Sequence, residues 1–430
     1  MNQIAGEKVA ILGANGTMGI GAAAVFAGAG YDVVLLARDR AKAQMALTAV
    51  QSVVRSEAIG ERLEAEAYDC GLAKALSQAS IIFEALAEDL ELKHRFFEQV
   101  DRYRRPDSIV ASVSSSLPIA EMAKPRSESF RQHFLGIHLF NPPHVIVGTE
   151  VTPHRETDER VLGAVVELLR GHAGRRVIVT HDRPGFAANR IALKVLNEIA
   201  QLAPTYGVAF LDYLLGPHSG RVMAPLATID LIGWDVHQMA VDNIFAETND
   251  EAHESFVIPS YLREGIERGR LGDKSPEQGG YYRRSGKQIE VLDIASGEYR
   301  QVLRPKPVEF VERMKTLHHV GRYRDALDVL CEAGGEEATL TRRIVLGYVS
   351  YALSRVGEAA DSSQEIDEIM SHGYNWAPPS IIVDLIGPRR IAAMLEHHEL
   401  KVPPVVQRAA AEGRGLYRGS VLDFGRTFVG

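Results

Sequence analysis

Lys8-Val-Ala-Ile-Leu12 runs directly into Gly13-Ala-Asn-Gly16-Thr-Met-Gly19, and this stretch decides the fold. The apolar run predicts a buried strand, and the small residues of the segment 20–30 predict a helix after the glycine turn. A second apolar run, Asp32-Val-Val-Leu-Leu-Ala37, predicts the next strand. Strand, glycine turn, helix and strand in this order are typical of a dinucleotide-binding unit, because the glycines let the backbone approach a pyrophosphate whose charge the helix N-terminus binds.

The glycine turn supplies candidate residues for binding a cofactor. Asn15 makes its spacing G-x-x-G-x-x-G, which is one residue longer than the usual G-x-G-x-x-G. A plain structural turn is the alternative interpretation of such a glycine-rich loop. The strand-turn-helix context favours nucleotide binding, and the expected contacts are Gly13, Asn15, Gly16, Thr17, Met18 and Gly19.

The end of the second strand bears on which nicotinamide cofactor is bound. A carboxylate there accepts hydrogen bonds from the ribose hydroxyls of NAD, whereas an arginine pairs with the 2'-phosphate of NADP. The sequence is Ala37-Arg38-Asp39, so the acid is displaced by two positions and Arg38 occupies the place of a phosphate contact. A solvated loop charge is the other interpretation of Arg38. We predict NAD as the cofactor and leave NADP open.

Further strand-like runs follow at residues 79–83, 108–112, 134–140 and 176–180. Helical stretches lie between several of them, and such alternation is typical of a doubly wound sheet. The sequence therefore predicts an α/β Rossmann-type, NAD(P)-binding domain over residues 1–185.

Composition excludes several classes of protein. With 46% hydrophobic and 24% charged residues the chain is neither disordered nor fibrous, and its net charge of −8 argues against nucleic acid as a main partner. Its longest apolar stretch, residues 20–29, is too short for a membrane helix, and no leader-like segment opens the sequence. Cys70 and Cys331 share no metal-ligand spacing. We expect a cytoplasmic protein with no metal and no membrane contact.

Four segments resemble one family, the L-3-hydroxyacyl-CoA dehydrogenases. They are Phe-Glu-Ala-Leu-Ala-Glu-Asp-Leu-Glu-Leu-Lys at 83–93, Ala-Ser-Val-Ser-Ser-Ser-Leu-Pro-Ile at 111–119, His138-Leu-Phe-Asn-Pro142 followed by Glu150, and Asp-Arg-Pro-Gly-Phe-Ala-Ala-Asn-Arg at 182–190. The resemblance covers residues 8–246 well and the remainder more weakly. It implies an oxidoreductase that interconverts L-3-hydroxyacyl-CoA and 3-ketoacyl-CoA with a nicotinamide cofactor, in fatty-acid or related acyl-CoA metabolism.

The resemblance also assigns four catalytic residues. It implies that His138 is the base, that Glu150 pairs with it, that Ser115 hydrogen-bonds the substrate's 3-oxygen, and that Asn189 contacts the substrate. A histidine suits the first role because its pKa lies near working pH. If the resemblance is set aside, His138 would be interpreted as a structural residue and Glu150 as a surface acid on a strand. Ser115 would then be an ordinary loop serine, and Asn189 a residue on a helix surface.

Two further positions, Glu88 and Lys93, match family residues on the cofactor side of the cleft, although each also reads as a solvated charge at a helix start. One departure stands beside these matches. Val113-Ser114 occupies the place of the family's usual Asn-Thr, which removes an amide near the nicotinamide. In the family a helical arm after the second strand contacts coenzyme A, and residues 40–62 are the matching segment. Its basic side chains are Lys42, Arg55 and Arg62.

The second half contains an internal repeat. Pro-x4-Asp-Leu-Ile-Gly occurs at Pro225 and again at Pro379, 154 residues later, and Asp230 and Asp384 have the same separation. We predict two related all-α domains, at 186–267 and 336–430, joined by an irregular connector at 268–335 with a short extended segment. Asn189 falls on Arg343 at this offset, so we interpret the second copy as a packing partner with no second active centre.

The two copies bear on partners and on alternative functions. The arrangement resembles the dehydrogenase part of multifunctional fatty-acid oxidation enzymes. In simpler family members the helical domains pair between subunits, and two copies in one chain would pair internally, so we expect a monomer or a homodimer. A dehydrogenase of a free hydroxy acid or sugar acid is one alternative. The other alternative is a non-catalytic nucleotide-binding scaffold. The reason to consider it is Val113, which stands where the family usually has an asparagine.

Overall fold

A computed structural model describes residues 7–286, 288–303 and 305–418 of the chain. The protein divides between Phe186 and Ala187 into two compact units. The first is a Rossmann-type α/β unit and the second is mainly helical, so the predicted fold class is confirmed.

An eight-stranded sheet forms the centre of the first unit, in the order β3-β2-β1-β4-β5-β6-β7-β8. Neighbouring strands are parallel except β6 and β7, which are antiparallel. The order reverses beside β1, and ligands of such sheets bind where it reverses, at the carboxyl ends of the strands. The strands are β1 Lys8–Leu12, β2 Asp32–Ala37, β3 Leu63–Ala67, β4 Ile81–Glu84, β5 Ile109–Ser112, β6 Phe134–Leu139, β7 Gly148–Pro153 and β8 Arg176–Val179.

Helices cover both faces of this sheet. Alternate residues of β1 point to opposite faces, so that Val9 and Ile11 join one hydrophobic core and Ala10 and Leu12 join the other. The helices are α1 Thr17–Gly28, α2 Arg40–Val54, α3 Glu57–Gly60, α4 Tyr68–Gln78, α5 Leu90–Tyr103, α6 Ile119–Ala123, α7 Glu128–Gln132 and α8 Glu159–Gly171.

Two strands, β3 and β7, were absent from the sequence prediction. β3 has the sequence Leu-Glu-Ala-Glu-Ala and lies at the sheet edge, where its glutamates reach solvent.

The segment 40–62, expected to be a coenzyme A arm, forms α2 and α3 and leads into the edge strand β3. Arg62 donates to Asp32 Oδ1 (3.2 Å) and to the Gly30 carbonyl (3.0 Å), so its guanidinium is engaged at the edge of the sheet.

The second unit contains twelve further helices among the described residues. They are α9 Ala188–Tyr206, α10 Val208–Leu214, α11 Pro225–Ile232, α12 Trp234–Glu247, α13 Ser260–Glu267, α14 Glu309–His319, α15 Tyr323–Glu332, α16 Glu336–Ser354, α17 Ser363–Gly373, α18 Pro379–Ile386, α19 Pro388–His397 and α20 Pro404–Glu412. The two repeated elements begin α11 and α18, so both prolines stand at the first helical position.

The segment 268–335 is more regular than the sequence predicted. It contains a three-stranded antiparallel sheet and the helices α14 and α15. The strands are β9 Tyr282–Ser285, β10 Gln288–Asp293 and β11 Glu298–Gln301. They are short, charged and mostly exposed, and therefore lack the apolar alternation by which a strand is recognised in sequence.

The repeated aspartate has a structural role in the first copy. Asp230 accepts hydrogen bonds from the backbone amides of Tyr281 and Tyr282, both at 2.8 Å, and from Trp234 Nε1 at 2.7 Å. A side chain at Gly280 would overlap Asp230 Oδ1, so glycine is required for the approach. Asp230 thereby ties the segment before β9 to the end of α11.

The second copy repeats this clamp. Asp384 of α18 accepts the amides of Leu416 (2.7 Å) and Tyr417 (3.0 Å), and a Cβ at the preceding Gly415 would lie 2.7 Å from Asp384 Oδ2. The duplication therefore includes the aspartate and also a downstream glycine with the two amides that follow it, which the sequence offset alone did not reveal.

Gly280→Ala should lower the free energy of unfolding by about 1–3 kcal/mol, because the added methyl group collides with the Asp230 carboxylate. Urea unfolding followed by circular dichroism measures the effect. The matched control is Gly334→Ala, whose added Cβ meets no atom within 4 Å and should change stability by less than about 1 kcal/mol. Equal effects of the two substitutions would contradict the clamp.

Candidate active site

The glycine turn lies at the carboxyl end of β1. Gly13 has φ of 76°, and a Cβ there would overlap the carbonyl oxygen of Ala85, in the segment after β4. A Cβ at Gly19, in the first turn of α1, would lie 2.5 Å from the Gly13 carbonyl oxygen. Both glycines are therefore needed for the turn, the helix and the neighbouring strand to pack this closely.

The N-terminus of α1 fits a pyrophosphate. Its N-cap is Gly16, no side chain caps it, and the first turn contains no acidic residue. The first backbone amides of a helix have no acceptor within the helix, and the helix dipole makes this end positive. Thr17, Met18 and Gly19 carry these amides, and Asn15 is exposed in the turn before them. Asn15, Thr17, Met18 and Gly19 therefore lie together at a helix end whose chemistry suits an anion.

The end of β2 differs from a typical ribose-binding end. Asp39 Oδ1 accepts the Lys42 amide at 2.8 Å, and the other carboxylate oxygen lies 3.6 Å from Lys42 Nζ. Asp39, the acid of this Ala-Arg-Asp sequence, therefore caps α2, whereas Arg38 is exposed. Arg38 also influences Tyr68, whose pKa is raised to about 12 by burial against opposing effects of the Gly13 amide and the Arg38 charge.

His138 and Glu150 form a buried pair across β6 and β7. The antiparallel register places the two residues opposite each other, and His138 Nδ1 lies 2.7 Å from Glu150 Oε2. His138 is 5% exposed and Glu150 is fully buried. The carboxylate fixes the tautomer that carries a proton on Nδ1, so proton exchange with a ligand falls to Nε2.

Arg175 fixes the connection between β6 and β7, and the sequence analysis did not single it out. Its buried guanidinium donates to Thr149 Oγ1 (3.0 Å) and to the carbonyls of Pro143 (2.8 Å), Ile146 and Gly148 (3.3 Å). Burial lowers its pKa to about 10. In sequence it is one of two arginines before a strand, which is indistinguishable from a surface position.

The connection between β6 and β7 also packs against α1. A Cβ at Gly21 of α1 would lie 2.6 Å from the ring of Pro143, so the helix admits only glycine here. The ring of His138 lies 4.7 Å from that of Phe140 and 5.8 Å from that of Phe186. Pro143 therefore places the connection between β6 and β7 against α1, and the two aromatic rings pack around the imidazole.

Glu88 organises the serine loop after β5. Its Oε1 accepts hydrogen bonds from Ser114 Oγ (2.6 Å), from the amides of Ser115 and Ser116 (3.0 Å each) and from Ser116 Oγ (3.0 Å). Burial alone would raise the pKa of Glu88, but the Lys93 ammonium and these hydrogen bonds hold it below its ordinary value. Ser115 is half-buried whereas the neighbouring serines are buried, so it is the serine of this loop that a ligand can reach.

Lys93, which was predicted on the cofactor side of the cleft, is enclosed by two carboxylates. Its ammonium is fully buried, lies 2.7 and 2.9 Å from the two carboxylate oxygens of Glu84, and 3.5 Å from Glu88. An enclosed amine has no surface for a ligand, so Lys93 acts by holding Glu84 and Glu88. Glu84, which also accepts from Ser112 Oγ at 2.5 Å, is a residue that the sequence analysis did not single out.

Asn189 belongs to the second unit, where it is the second residue of α9. Its Oδ1 accepts a hydrogen bond from Tyr374 Oη at 2.7 Å.

The segment 40–62, the expected coenzyme A arm, has two further basic residues to place. Lys42 is paired with Asp39, and Arg55 ends α2 in a left-handed conformation.

Two features are absent from the described ranges, 7–286, 288–303 and 305–418. No helix there is long and apolar enough to cross a membrane. No group of three or more His, Cys, Asp and Glu side chains there is arranged to hold a metal ion.

Comparison with known proteins identifies the relatives. The family model described as 3-hydroxyacyl-CoA dehydrogenase, NAD binding domain, matches residues 8–183, and the model of its C-terminal domain matches residues 185–282. A probable 3-hydroxyacyl-CoA dehydrogenase of Deinococcus radiodurans is 33% identical, over 65% of this chain and 83% of the relative. One of Bacillus subtilis is 30% identical over 98% of this chain, which spans only 56% of that relative's length.

Two solved structures of 3-hydroxybutyryl-CoA dehydrogenases are also similar to this chain. An (S)-3-hydroxybutyryl-CoA dehydrogenase from Ralstonia eutropha has 27% identity and a TM-score of 0.58, covering 65% of this chain and 99% of its own. A 3-hydroxybutyryl-CoA dehydrogenase from Escherichia coli, at 20% identity, matches the fold with a TM-score of 0.69 over 95% of this chain and 98% of its own.

Glu84→Ala should lower the free energy of unfolding by about 3–5 kcal/mol, because it leaves the Lys93 ammonium buried beside a single, more distant carboxylate. Chemical unfolding measures this loss. The control is Glu121→Ala, which breaks an exposed pair with Lys124 and should cost less than about 1 kcal/mol. A loss in Glu84→Ala no larger than in the control would show that the buried pair is not structural.

Proposed function

The chain belongs to the 3-hydroxyacyl-CoA dehydrogenase family, and from that premise we propose that it interconverts an L-3-hydroxyacyl-CoA and the corresponding 3-ketoacyl-CoA with a nicotinamide cofactor. The single observation that carries the proposal is the buried pair of His138 and Glu150, 2.7 Å apart. A secondary alcohol gives up its proton to a base during oxidation, and a carboxylate-oriented imidazole is suited to this.

The proposed mechanism assigns one task to each residue. His138 Nε2 takes the proton of the 3-hydroxyl group, and Glu150 stabilises the imidazolium that forms. Ser115 donates a hydrogen bond to the 3-oxygen, and Asn189 contributes an amide that orients the substrate. When bound, the nicotinamide supplies the hydride chemistry. In the reverse direction His138 returns the proton to the 3-oxygen.

The proposed cofactor site uses the amides at the start of α1 for the pyrophosphate. Gly13 and Gly19 keep the turn narrow, and Glu88, held anionic by Lys93, maintains the loop that carries Ser115. Val113, whose side chain has no amide, is buried in the hydrophobic core of the sheet. Lys93 contributes through Glu88 rather than by direct contact.

We propose that the end of β2 accepts the 2'-phosphate of NADP as well as the free hydroxyls of NAD. Asp39 Oδ1 caps α2, its other carboxylate oxygen lies 3.6 Å from Lys42 Nζ, and Arg38 is exposed beside it. A guanidinium binds phosphate with two parallel hydrogen bonds, which is the usual basis of NADP recognition.

The remaining proposals concern the substrate, the assembly and the location of the protein. An acyl-CoA is the proposed substrate, of a chain length that apolar side chains would set. The two helical copies pack together within the second unit, where Arg190 of α9 and Arg355 after α16 share Asp250 at 2.6 and 2.7 Å. This internal pairing favours a monomer over a homodimer. A cytoplasmic location stays a prediction from the sequence.

His138→Gln should lower kcat/KM with acetoacetyl-CoA by about 10²- to 10⁴-fold, since it removes the general base. The nicotinamide absorbance, followed with NADH and NADPH in parallel, measures the rate. His172→Gln, at an exposed position after α8, is the control and should keep full activity.

The same assay separates the alternatives. Turnover of free 3-hydroxy acids without turnover of their coenzyme A esters would favour the free-acid dehydrogenase. Nucleotide binding without turnover at several acyl-chain lengths would favour the scaffold and overturn the proposed activity. An undiminished rate in His138→Gln would remove His138 as the base.

Arg38→Ala should weaken binding of adenosine 2',5'-bisphosphate by about ten- to a hundredfold and leave ADP binding within about twofold, because a charge-assisted hydrogen bond contributes about 1.5–3 kcal/mol. Titration calorimetry on the purified protein measures both affinities without turnover. Arg160→Ala, at an exposed arginine of α8, should change neither. If the wild-type protein binds ADP and the bisphosphate equally, the phosphate subsite does not exist.

A further inference from the structure

The side chain proposed to orient the substrate is bonded to the second helical copy. Asn189 lies at the start of α9 in the first copy, and Tyr374, which donates to its Oδ1 at 2.7 Å, directly follows α17 in the second. The two residues are 185 positions apart in sequence. This contact gives the second copy a connection to the proposed chemistry although it has no counterpart of Asn189 itself.

Tyr374 is held in place by its own turn. Asn375 adopts a left-handed conformation, φ 53°, and Trp376, which follows, is almost fully buried with its ring 5.5 Å from that of Tyr374. Arg221 of the first copy lies over the Trp376 ring at 4.8 Å, and the two residues form a β-bridge. The turn that carries Tyr374 is therefore attached to the first copy by backbone pairing and by a cation–π contact.

The start of α9 is fixed from the other side as well. Arg190, the residue after Asn189, donates to Asp250 Oδ2 at 2.6 Å and to Tyr351 Oη at 3.0 Å. Arg355 donates to the same Asp250 oxygen at 2.7 Å. Both arginine side chains are nearly buried, and removal of one partner from such a cluster is strongly destabilising. Tyr351 and Arg355 come from the second copy, so this copy determines where the first turn of α9 lies.

The hydrogen bond also decides how the Asn189 amide is oriented. An amide offers an acceptor at Oδ1 and two donors at Nδ2. The tyrosine hydroxyl donates its hydrogen to Oδ1, which identifies Oδ1 as the acceptor on the side of Tyr374 and Nδ2 as the donor end of the amide. Loss of this bond removes one constraint on the amide, and an amide turned by half a turn would present an acceptor where the negative charge that develops on the 3-oxygen requires a donor.

We propose that Tyr374 is a positioning residue for Asn189, so that the second helical copy takes part in the active centre although it contains no catalytic residue. The inference rests on the proposed function, because it assumes that Asn189 contacts the substrate. It changes the interpretation of the second copy from a packing partner to a component of catalysis.

Tyr374→Phe tests this role, because it deletes the hydroxyl group and keeps the ring against Trp376. We expect kcat with acetoacetyl-CoA to fall about tenfold with KM little changed, since the lost orientation acts mainly in the transition state. The matched control is Tyr348→Phe. The Tyr348 hydroxyl also makes a buried hydrogen bond in the second copy, to the Ala377 carbonyl at 2.8 Å, but this bond does not involve Asn189. The control should keep its kcat, and the two variants should melt at similar temperatures.

A double-mutant cycle completes the test. In an Asn189→Ala background, Tyr374→Phe should produce no further loss of kcat, because its effect passes through the Asn189 amide. Equal activities of Tyr374→Phe and Tyr348→Phe, or losses that multiply in the double variant, would overturn the inference. A wild-type protein that turns over no hydroxyacyl-CoA would overturn the proposed function itself, and the inference with it.

Discussion

A carboxylate removed from water is destabilised by several kcal/mol unless hydrogen-bond donors or a positive charge surround it. Three glutamates of the first unit are arranged in this way. Glu150 engages the imidazole of His138, Glu88 gathers the amides and hydroxyls of the serine loop, and Glu84 encloses Lys93. Because a buried carboxylate accepts several bonds at once, it fixes several residues relative to one another. The geometry of the candidate site follows from this requirement.

The sequence predicted those parts of the fold that have a local pattern. The bounds of β1 and β2 agree with the apolar runs at 8–12 and 32–37, and the glycine turn lies between them. β3 was missed because its glutamates alternate at a sheet edge, and the sheet of β9 to β11 was missed because its strands are polar. In both cases pairing with a neighbouring strand, which is not a property of the segment, decides the structure.

The candidate site likewise combines residues that local motifs predict with residues that only contacts between distant parts of the chain reveal. His138, Glu150 and Ser115 were predicted through family motifs, and the register of β6 and β7 brings the first two together. Lys93 was matched to a family residue on the cofactor side of the cleft, and the structure adds that Glu84, nine positions earlier, lies 2.7 Å from its ammonium. Arg175 and Tyr374 had no motif at all, since their importance depends on contacts with residues that lie far away along the chain. Single-sequence patterns report on periodicity and local spacing, and such contacts leave no trace in either.

The distance in sequence between Asn189 and Tyr374 has a consequence for synthesis of the protein. The ribosome adds about 5–20 residues per second, so roughly 10–40 s separate the emergence of the two residues. During this interval the Rossmann-type unit has been synthesised and can fold, while Asn189 still lacks the hydroxyl group that bonds its Oδ1. Under the proposed function, a nascent chain would therefore bind nucleotide before its Asn189 amide acquires the Tyr374 partner.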